Sequence, residues 1–175
     1  HKFQSINEDP TIDLSVVIPA YEEEKRLPVM LEECMEYLEN RMKADPNFSY
    51  EVIVVSDGSK DKTVEVALEY SKKYTCEKFR VLELIENRGK GGAVRLGMMS
   101  SRGRFLLFAD ADGATKFADY SALERSLLKI AKDWKENALT IGSRAHLEQD
   151  AIAQRSIFRT VLMHGFHTLV WFFAV

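Results

Sequence analysis

Asp110 and Asp112 flank Ala111 in the segment LLFADADGAT. Residues two apart in an extended stretch point the same way, so both carboxylates can face one cavity. Two hard oxygen donors suit Mg²⁺ or Mn²⁺, ions commonly shared with substrate phosphates. The plainer alternative is a solvated turn that uses Asp for its local hydrogen bonding. Asp57 precedes Gly58-Ser59 at the end of another apolar run, where it could close an Asx turn or accept an N–H or O–H from a base or ribose. Asn87-Arg88-Gly89-Lys90-Gly91-Gly92 joins a loose backbone to two cations, a combination that can cradle phosphates or simply form an exposed turn. Arg144 follows a further apolar run and aims at the same rim. Arg155 and Arg159 are four apart, so on a helix they share one face, either solvated or acting as a two-pronged phosphate clamp. His164 and His167 lie in an aromatic-rich run without carboxylates, which favours a core or interfacial role over metal ligation.

These residues need a scaffold that brings them to one rim. Residues 14–18 (LSVVI) form an apolar run that Pro19 stops, and this reads as a buried strand. Leu27, Met30, Leu31, Cys34, Met35, Leu38 and Met42 recur at helical spacing, with Pro28 near the first turn and Asp45-Pro46-Asn47 as the stop. Residues 51–55 (EVIVV) are a second strand. Asp61 can cap a helix whose inner face is Val64, Ala67, Leu68 and Tyr70. Strands follow at 80–85, 104–109 and 138–142 (ALTIG), with helices after Gly92 and over 123–134. Strand and helix alternate, and the strands are continuous apolar runs, which predicts burial on both faces. The fold class is therefore α/β, a mostly parallel sheet with helices on both sides. Ligands in such sheets bind beyond the carboxyl ends of the strands. The candidate residues follow those ends.

The 175 residues fit one core-forming domain, and 46% hydrophobic with 29% charged residues exclude disordered, collagen-like and coiled-coil classes. A net charge of -3 gives no reason to expect a nucleic-acid partner. Two cysteines, Cys34 and Cys76, cannot build a disulfide scaffold or a zinc ribbon and read as reduced thiols. Glu22, Glu23 and Glu24 follow the first strand, where a dinucleotide-binding fold would need glycines, so NAD or FAD binding in the usual mode is disfavoured. Residues 1–13 form a polar lead rather than a targeting segment. Beyond Arg159 no Asp, Glu, Lys or Arg occurs. That apolar run is short of the roughly 20 residues of a membrane span. A packed helix, a membrane-surface helix or a self-association surface would each suit it.

Taken in order, LSVVIPAYEEE, EVIVVSDGSKDKT, NRGKGGAVRLG and LLFADADGAT resemble the family 2 glycosyltransferases with the GT-A fold. The stretch GSRAHLEQDAIAQRSIFRTVLMHGFHTLVWF narrows the resemblance to the group that places glucose on dolichyl phosphate. The resemblance implies a nucleotide-sugar-binding domain over 14–145 and an acceptor-side segment over 146–175 with an apolar helix suited to a membrane surface. It implies inverting transfer from UDP-glucose to dolichyl phosphate, a divalent Mg²⁺ or Mn²⁺, a membrane surface and an endoplasmic reticulum location with the catalytic domain toward the cytosol. It also implies a membrane anchor before this sequence and further chain after Val175. Pro19, Tyr21 and Glu23 match the first loop, which touches the nucleotide. Asp57 matches the acid that reads uracil, and Lys90 and Gly91 the loop beneath the nucleotide. Asp110 and Asp112 match the DxD-type pair, with Asp112 the principal metal ligand and Asp110 also near the nucleotide. Arg144, with a catalytic role, and Arg155 and Arg159 match positions that hold the acceptor phosphate. Two positions depart from the usual pattern: Glu22 stands where Asn is common, and Ser56 where Asp is common.

Three other readings are open at this level. One is a mannosyl or other polyprenyl-phosphate sugar transferase. Another is a catalytically incomplete module that binds a nucleotide or a membrane. The last is a haloacid-dehalogenase-type phosphatase, suggested by FLLFADADGATKF, in which Asp110 would be a nucleophile and Asp112 a general acid.

Overall fold

A computed structural model describes residues 8–131, 137–142 and 172. The chain divides into two compact units, His1–Ala138 and Leu139–Val175. All the strands and nearly all the helical residues described belong to the first. Of the second, residues 139–142 are irregular and Phe172 is helical.

The first unit is a four-stranded parallel sheet in the order β3-β2-β1-β4. The strands are β1 (Ile12–Ala20), β2 (Tyr50–Asp57), β3 (Phe79–Leu84) and β4 (Gly103–Phe108). They alternate with α1 (Leu27–Ala44), α2 (Thr63–Lys78) and α3 (Gly89–Met99), and α4 (Tyr120–Ile130) follows β4. The two central strands supply the core because they are buried on both faces. Val16, Ile18, Val52 and Val54 join Leu27, Leu31, Met35 and Leu38 of α1 on one side. Val17, Ile53 and Val55 face Ala93 and Met98 of α3 on the other. Gly97 lets α3 approach so closely that an added Cβ would lie 2.4 Å from Cγ1 of Val17. The expected arrangement, a parallel sheet with helices on both faces, is what forms.

Four local expectations change. β1 continues through Pro19 to Ala20 instead of stopping before it. Val17 O accepts from Ala109 N at 3.0 Å on the β4 side. Backbone groups two residues apart point to the same side, so the Pro19 nitrogen also faces β4. The register with β4 ends at Val17↔Phe108, so no ladder bond is lost there. β3 and β4 are edge strands and are only half buried; β4 leaves Leu106 and Phe108 exposed. On α2, Leu68 is exposed and Val66 packs inward in its place. Finally, residues 138–142 form no strand. A strand exists only where its backbone finds a ladder, and this segment pairs with none of the four. Its Leu139 and Ile141 are exposed.

The ends of the sheet differ sharply. At the amino ends, Glu51 is fully buried and accepts from Ser15 Oγ at 2.6 Å, Arg80 Nη1 at 2.8 Å and Arg102 Nε at 3.0 Å. The carboxyl ends open into a cleft.

Candidate active site

The chain order 3-2-1-4 places a reversal of direction between β1 and β4, where the loops leaving the two strands separate. The cleft there has a volume of ≈ 290 Å³. Pro19, Ala20, Tyr21 and Glu23 line it from β1 and its loop, and Asp57 from the end of β2. Asn87, Gly89, Lys90 and Ala93 come from the turn into α3 and its first residues. Asp110, Ala111 and Asp112 follow β4.

The first wall is built by an unusual use of the acidic loop. Glu22, Glu23 and Glu24 attach to the loop after β2 through their backbone N–H groups. These donate to Ser59 Oγ at 3.2 Å, Thr63 Oγ1 at 2.8 Å and Asp61 Oδ2 at 3.1 Å. Asp61 also accepts from Thr63 N and Thr63 Oγ1, at 3.0 and 2.5 Å, so it caps α2 from just before the helix as expected. Partial desolvation opposes its ionisation, but the Thr63 hydroxyl and the backbone N–H bonds outweigh that and hold Asp61 below the usual carboxylate range. The carboxylate of Glu23 turns to Arg26, with both oxygens engaged at 2.6 Å. Glu22 takes a left-handed backbone at φ 55°. Asn tolerates that region better than Glu, so the Asn that the resemblance leads one to expect at this position would sit there with less strain. The Glu22 carboxylate beside Tyr21 holds the phenol above its ordinary range, and Tyr21 lines the cleft.

Asp57 is 3% exposed. Its Oδ1 accepts Arg88 N at 2.7 Å, which fixes both the carboxylate and the glycine-rich turn. Gly58, at φ 70°, sits where a Cβ would lie 2.7 Å from Asn87 N, so the two loops touch directly at a glycine. Asp57 thus performs a structural job and still lines the cleft. Ser56, buried behind it, donates to Ser59 Oγ at 3.0 Å.

On the opposite wall Lys90 Nζ lies 2.6 Å from Asp110 Oδ1 and 5.3 Å from the centre of the Phe108 ring. Asp112 Oδ1 accepts Ala114 N at 2.9 Å. A carboxylate has about four lone-pair positions, so that bond leaves Asp112 able to ligate. Among the described residues, no group of three or more His, Cys, Asp or Glu could hold a metal. Two oxygen-donor side chains in an open cleft do fit Mg²⁺ or Mn²⁺, which keep water or phosphate oxygens as their remaining ligands.

Pro19, Tyr21, Glu23, Asp57, Lys90, Asp110 and Asp112 therefore converge as expected. Gly91 does not line the cleft; it sits in the first turn of α3. Arg144, Arg155, Arg159, His164 and His167 lie outside the described residues. Asn87 and Gly89 of the glycine-rich loop line the cleft as well, whereas the small residues Ala20, Ala93 and Ala111 are wall positions that the sequence reading does not name. Only their adjacency to the strand ends and to the glycine turn could have marked them.

Residues 15–164 match the model of glycosyl transferase family 2. The chain belongs to that family. Family 2 membership also removes the phosphatase reading of the ADAD segment, which here follows the fourth strand rather than opening the domain. Among curated members, the chain is 66% identical to a dolichyl-phosphate beta-glucosyltransferase of Drosophila melanogaster over 99% of its length. It is 59% identical to the Homo sapiens protein of the same name over 98% of its length. It spans about half of each, 53%. The crystal structure of a mycobacterial protein superposes with a TM-score of 0.51 at 25% identity, covering 67% of this chain and 37% of that one. Among the described residues, no helix is long and apolar enough to cross a membrane.

Proposed function

We propose that this chain carries the donor-binding part of a glycosyltransferase that moves glucose from UDP-glucose to dolichyl phosphate with inversion at the anomeric carbon. The observation that carries the reading is the meeting of Asp57, Lys90, Asp110 and Asp112 in one cleft at the carboxyl ends of the strands. The 59–66% identity to dolichyl-phosphate beta-glucosyltransferases supports the choice of sugar and acceptor.

In this reading Asp57, braced by Arg88 N–H, accepts the imide N–H of uracil, with Pro19, Tyr21 and Glu23 along the same wall. Lys90 faces the diphosphate. Asp110 and Asp112 would hold the divalent ion, with Asp112 the principal ligand. When bound, that ion offsets the charge that develops on the departing diphosphate. The acceptor is a phosphate monoester with a second pKa of about 6, so it arrives largely as a nucleophilic dianion and needs no dedicated base. What it needs is cations that hold it in line with the anomeric carbon. Arg144, at the end of the 14–145 domain, and Arg155 and Arg159, within an acceptor-side segment over 146–175 that meets the endoplasmic reticulum membrane from the cytosolic side, are assigned that task. Mannosyl transfer is the nearest competing chemistry.

The test uses the full-length protein in detergent with labelled UDP-glucose and dolichyl phosphate, and GDP-mannose as the competing donor. Glucose transfer is expected, and Asp112→Ala should lower it by more than about a thousandfold without changing the circular dichroism spectrum. Turnover of the variant within tenfold of the parent would remove the metal assignment. Preference for GDP-mannose would remove the sugar assignment.

A further inference from the structure

Lys90 is the second residue of α3, a helix with no acidic side chain in its first turn. A cation there opposes the helix dipole and is disfavoured unless an anion stands in front of it. The structure supplies that anion: Asp110 Oδ1 lies 2.6 Å away, and the Phe108 ring face lies beneath the ammonium. Both side chains remain accessible, 62% exposed for Lys90 and 47% for Asp110, so the pair can separate without unfolding anything. The glycines around Lys90 leave room for a ligand. A Cβ at Gly89 or Gly91 would meet nothing within 4 Å.

We infer that Lys90 is an internal competitor for the metal position. It neutralises Asp110 in the free protein and leaves it for the diphosphate when a nucleotide and a divalent cation arrive together. This rests on the reading of the cleft as a metal–nucleotide site and deepens it. With the cleft empty, a divalent ion must displace the ammonium from Asp110 and then sit beside an uncompensated positive charge. With a diphosphate present, the ammonium has a second anion to meet, and Asp110 is released to ligate. Metal and nucleotide therefore bind with positive coupling, and the coupling is reciprocal. Lys90 is a positioning residue in this respect: it acts on the ion through Asp110.

The experiment measures Mn²⁺ affinity of the full-length protein by titration calorimetry, with and without UDP. Without nucleotide, Lys90→Met should bind Mn²⁺ about threefold to fivefold more tightly, the scale expected for loss of one exposed ion pair. The factor by which UDP improves Mn²⁺ affinity should fall by a similar amount. Lys90→Arg should restore both values. Arg88→Met removes the same charge from the same loop outside the cleft wall and should leave the Mn²⁺ constant within twofold. In an Asp110→Asn background, Lys90→Met should give no gain. Unchanged or weaker Mn²⁺ binding by Lys90→Met would overturn the inference, as would an equal gain from Arg88→Met. Asp112→Asn separates the two levels. If it leaves Mn²⁺ binding intact, the metal reading of the cleft fails. If it abolishes Mn²⁺ binding while Lys90→Met has no effect, only the competition fails.

Discussion

Removing the carboxylate of Glu51 should destabilise the fold severely and leave the cleft's chemistry alone. The side chain is 0% exposed, and its two oxygens accept from Ser15 Oγ at 2.6 Å, Arg102 N at 2.8 Å, Arg80 Nη1 at 2.8 Å and Arg102 Nε at 3.0 Å. Arg80 is itself only 8% exposed, so it is the partner that suffers when the carboxylate is lost. Breaking a buried pair by deleting one side costs about 3–5 kcal/mol, because the remaining charge stays out of water. Glu51→Ala should therefore lose about 4 kcal/mol, measured as a shift of the urea midpoint at constant slope. That corresponds to a fall of roughly 10 °C in Tm for a protein of this size. Glu51→Gln keeps the shape but turns an amide NH₂ into a ring of donors in which Ser15 Oγ, already accepting from Arg102 N and Gly103 N, is the one group with an acceptor, and should lose about 2 kcal/mol. Nucleotide binding by the folded fraction should be unchanged in both, because the network lies at the amino ends of the strands and the cleft at the carboxyl ends. A loss below 1 kcal/mol for Glu51→Ala would refute the reasoning, since it would mean that water reaches the guanidinium once the carboxylate is gone.

Two further outcomes concern the first wall of the cleft. Glu22 holds φ 55°, a region costly for most L-residues, and Glu22→Asn should raise stability by about 0.5–1 kcal/mol in urea unfolding; a decrease would show that the conformation is not strained. The pKa of Asp61 is lowered in the folded protein, so its contribution is fully present above the unfolded value of about 3.9 and is lost as pH falls through the folded value. The stability gap between the parent and Asp61→Asn should accordingly be flat from pH 7 to about 5 and shrink below about 4, and a gap unchanged at pH 3 would contradict the hydrogen-bond account.

The central strands were legible because burial on both faces forces continuous apolar runs, as in LSVVI and EVIVV. The same rule overreached at the edges. Leu106 and Phe108 belong to an apolar run yet are exposed, because they share one face of the edge strand that stays open to solvent. ALTIG reads as a short apolar strand, but an apolar run does not supply a ladder partner. Pro19 reads as a stop, whereas the pairing of its neighbours places its missing donor where the ladder has already ended. Asp57, Lys90, Asp110 and Asp112 were legible because each stands at or just beyond a strand end or at a glycine turn, so topology alone delivers them to one rim. The partners were not legible. Glu23 engages Arg26, Asp57 holds Arg88 N–H and Lys90 meets Asp110; the last two pairs join residues 31 and 20 positions apart in the chain, a distance that no local pattern spans.

The same contacts show how a polar cleft keeps its shape. Its walls are loops, and loops without apolar packing are usually the least stable parts of a fold. Here the backbone amides of residues 22–24 donate across to Ser59, Thr63 and Asp61, and Asp57 accepts Arg88 N–H, so the loops after β1, β2 and β3 form one hydrogen-bonded frame. The loop after β4 connects to that frame through the Lys90–Asp110 ion pair. An exposed ion pair is the weakest of these links, worth at most about 1 kcal/mol. The side of the cleft that carries Asp57 is thus held by hydrogen bonds, while the side bearing Asp110 and Asp112 is joined to it by an exposed ion pair. The proposed transfer from a nucleotide sugar would ask for rigidity where the base is read and exchangeable charge where the diphosphate leaves, and the sheet carries Asp57 and Asp110 on strands on opposite sides of β1.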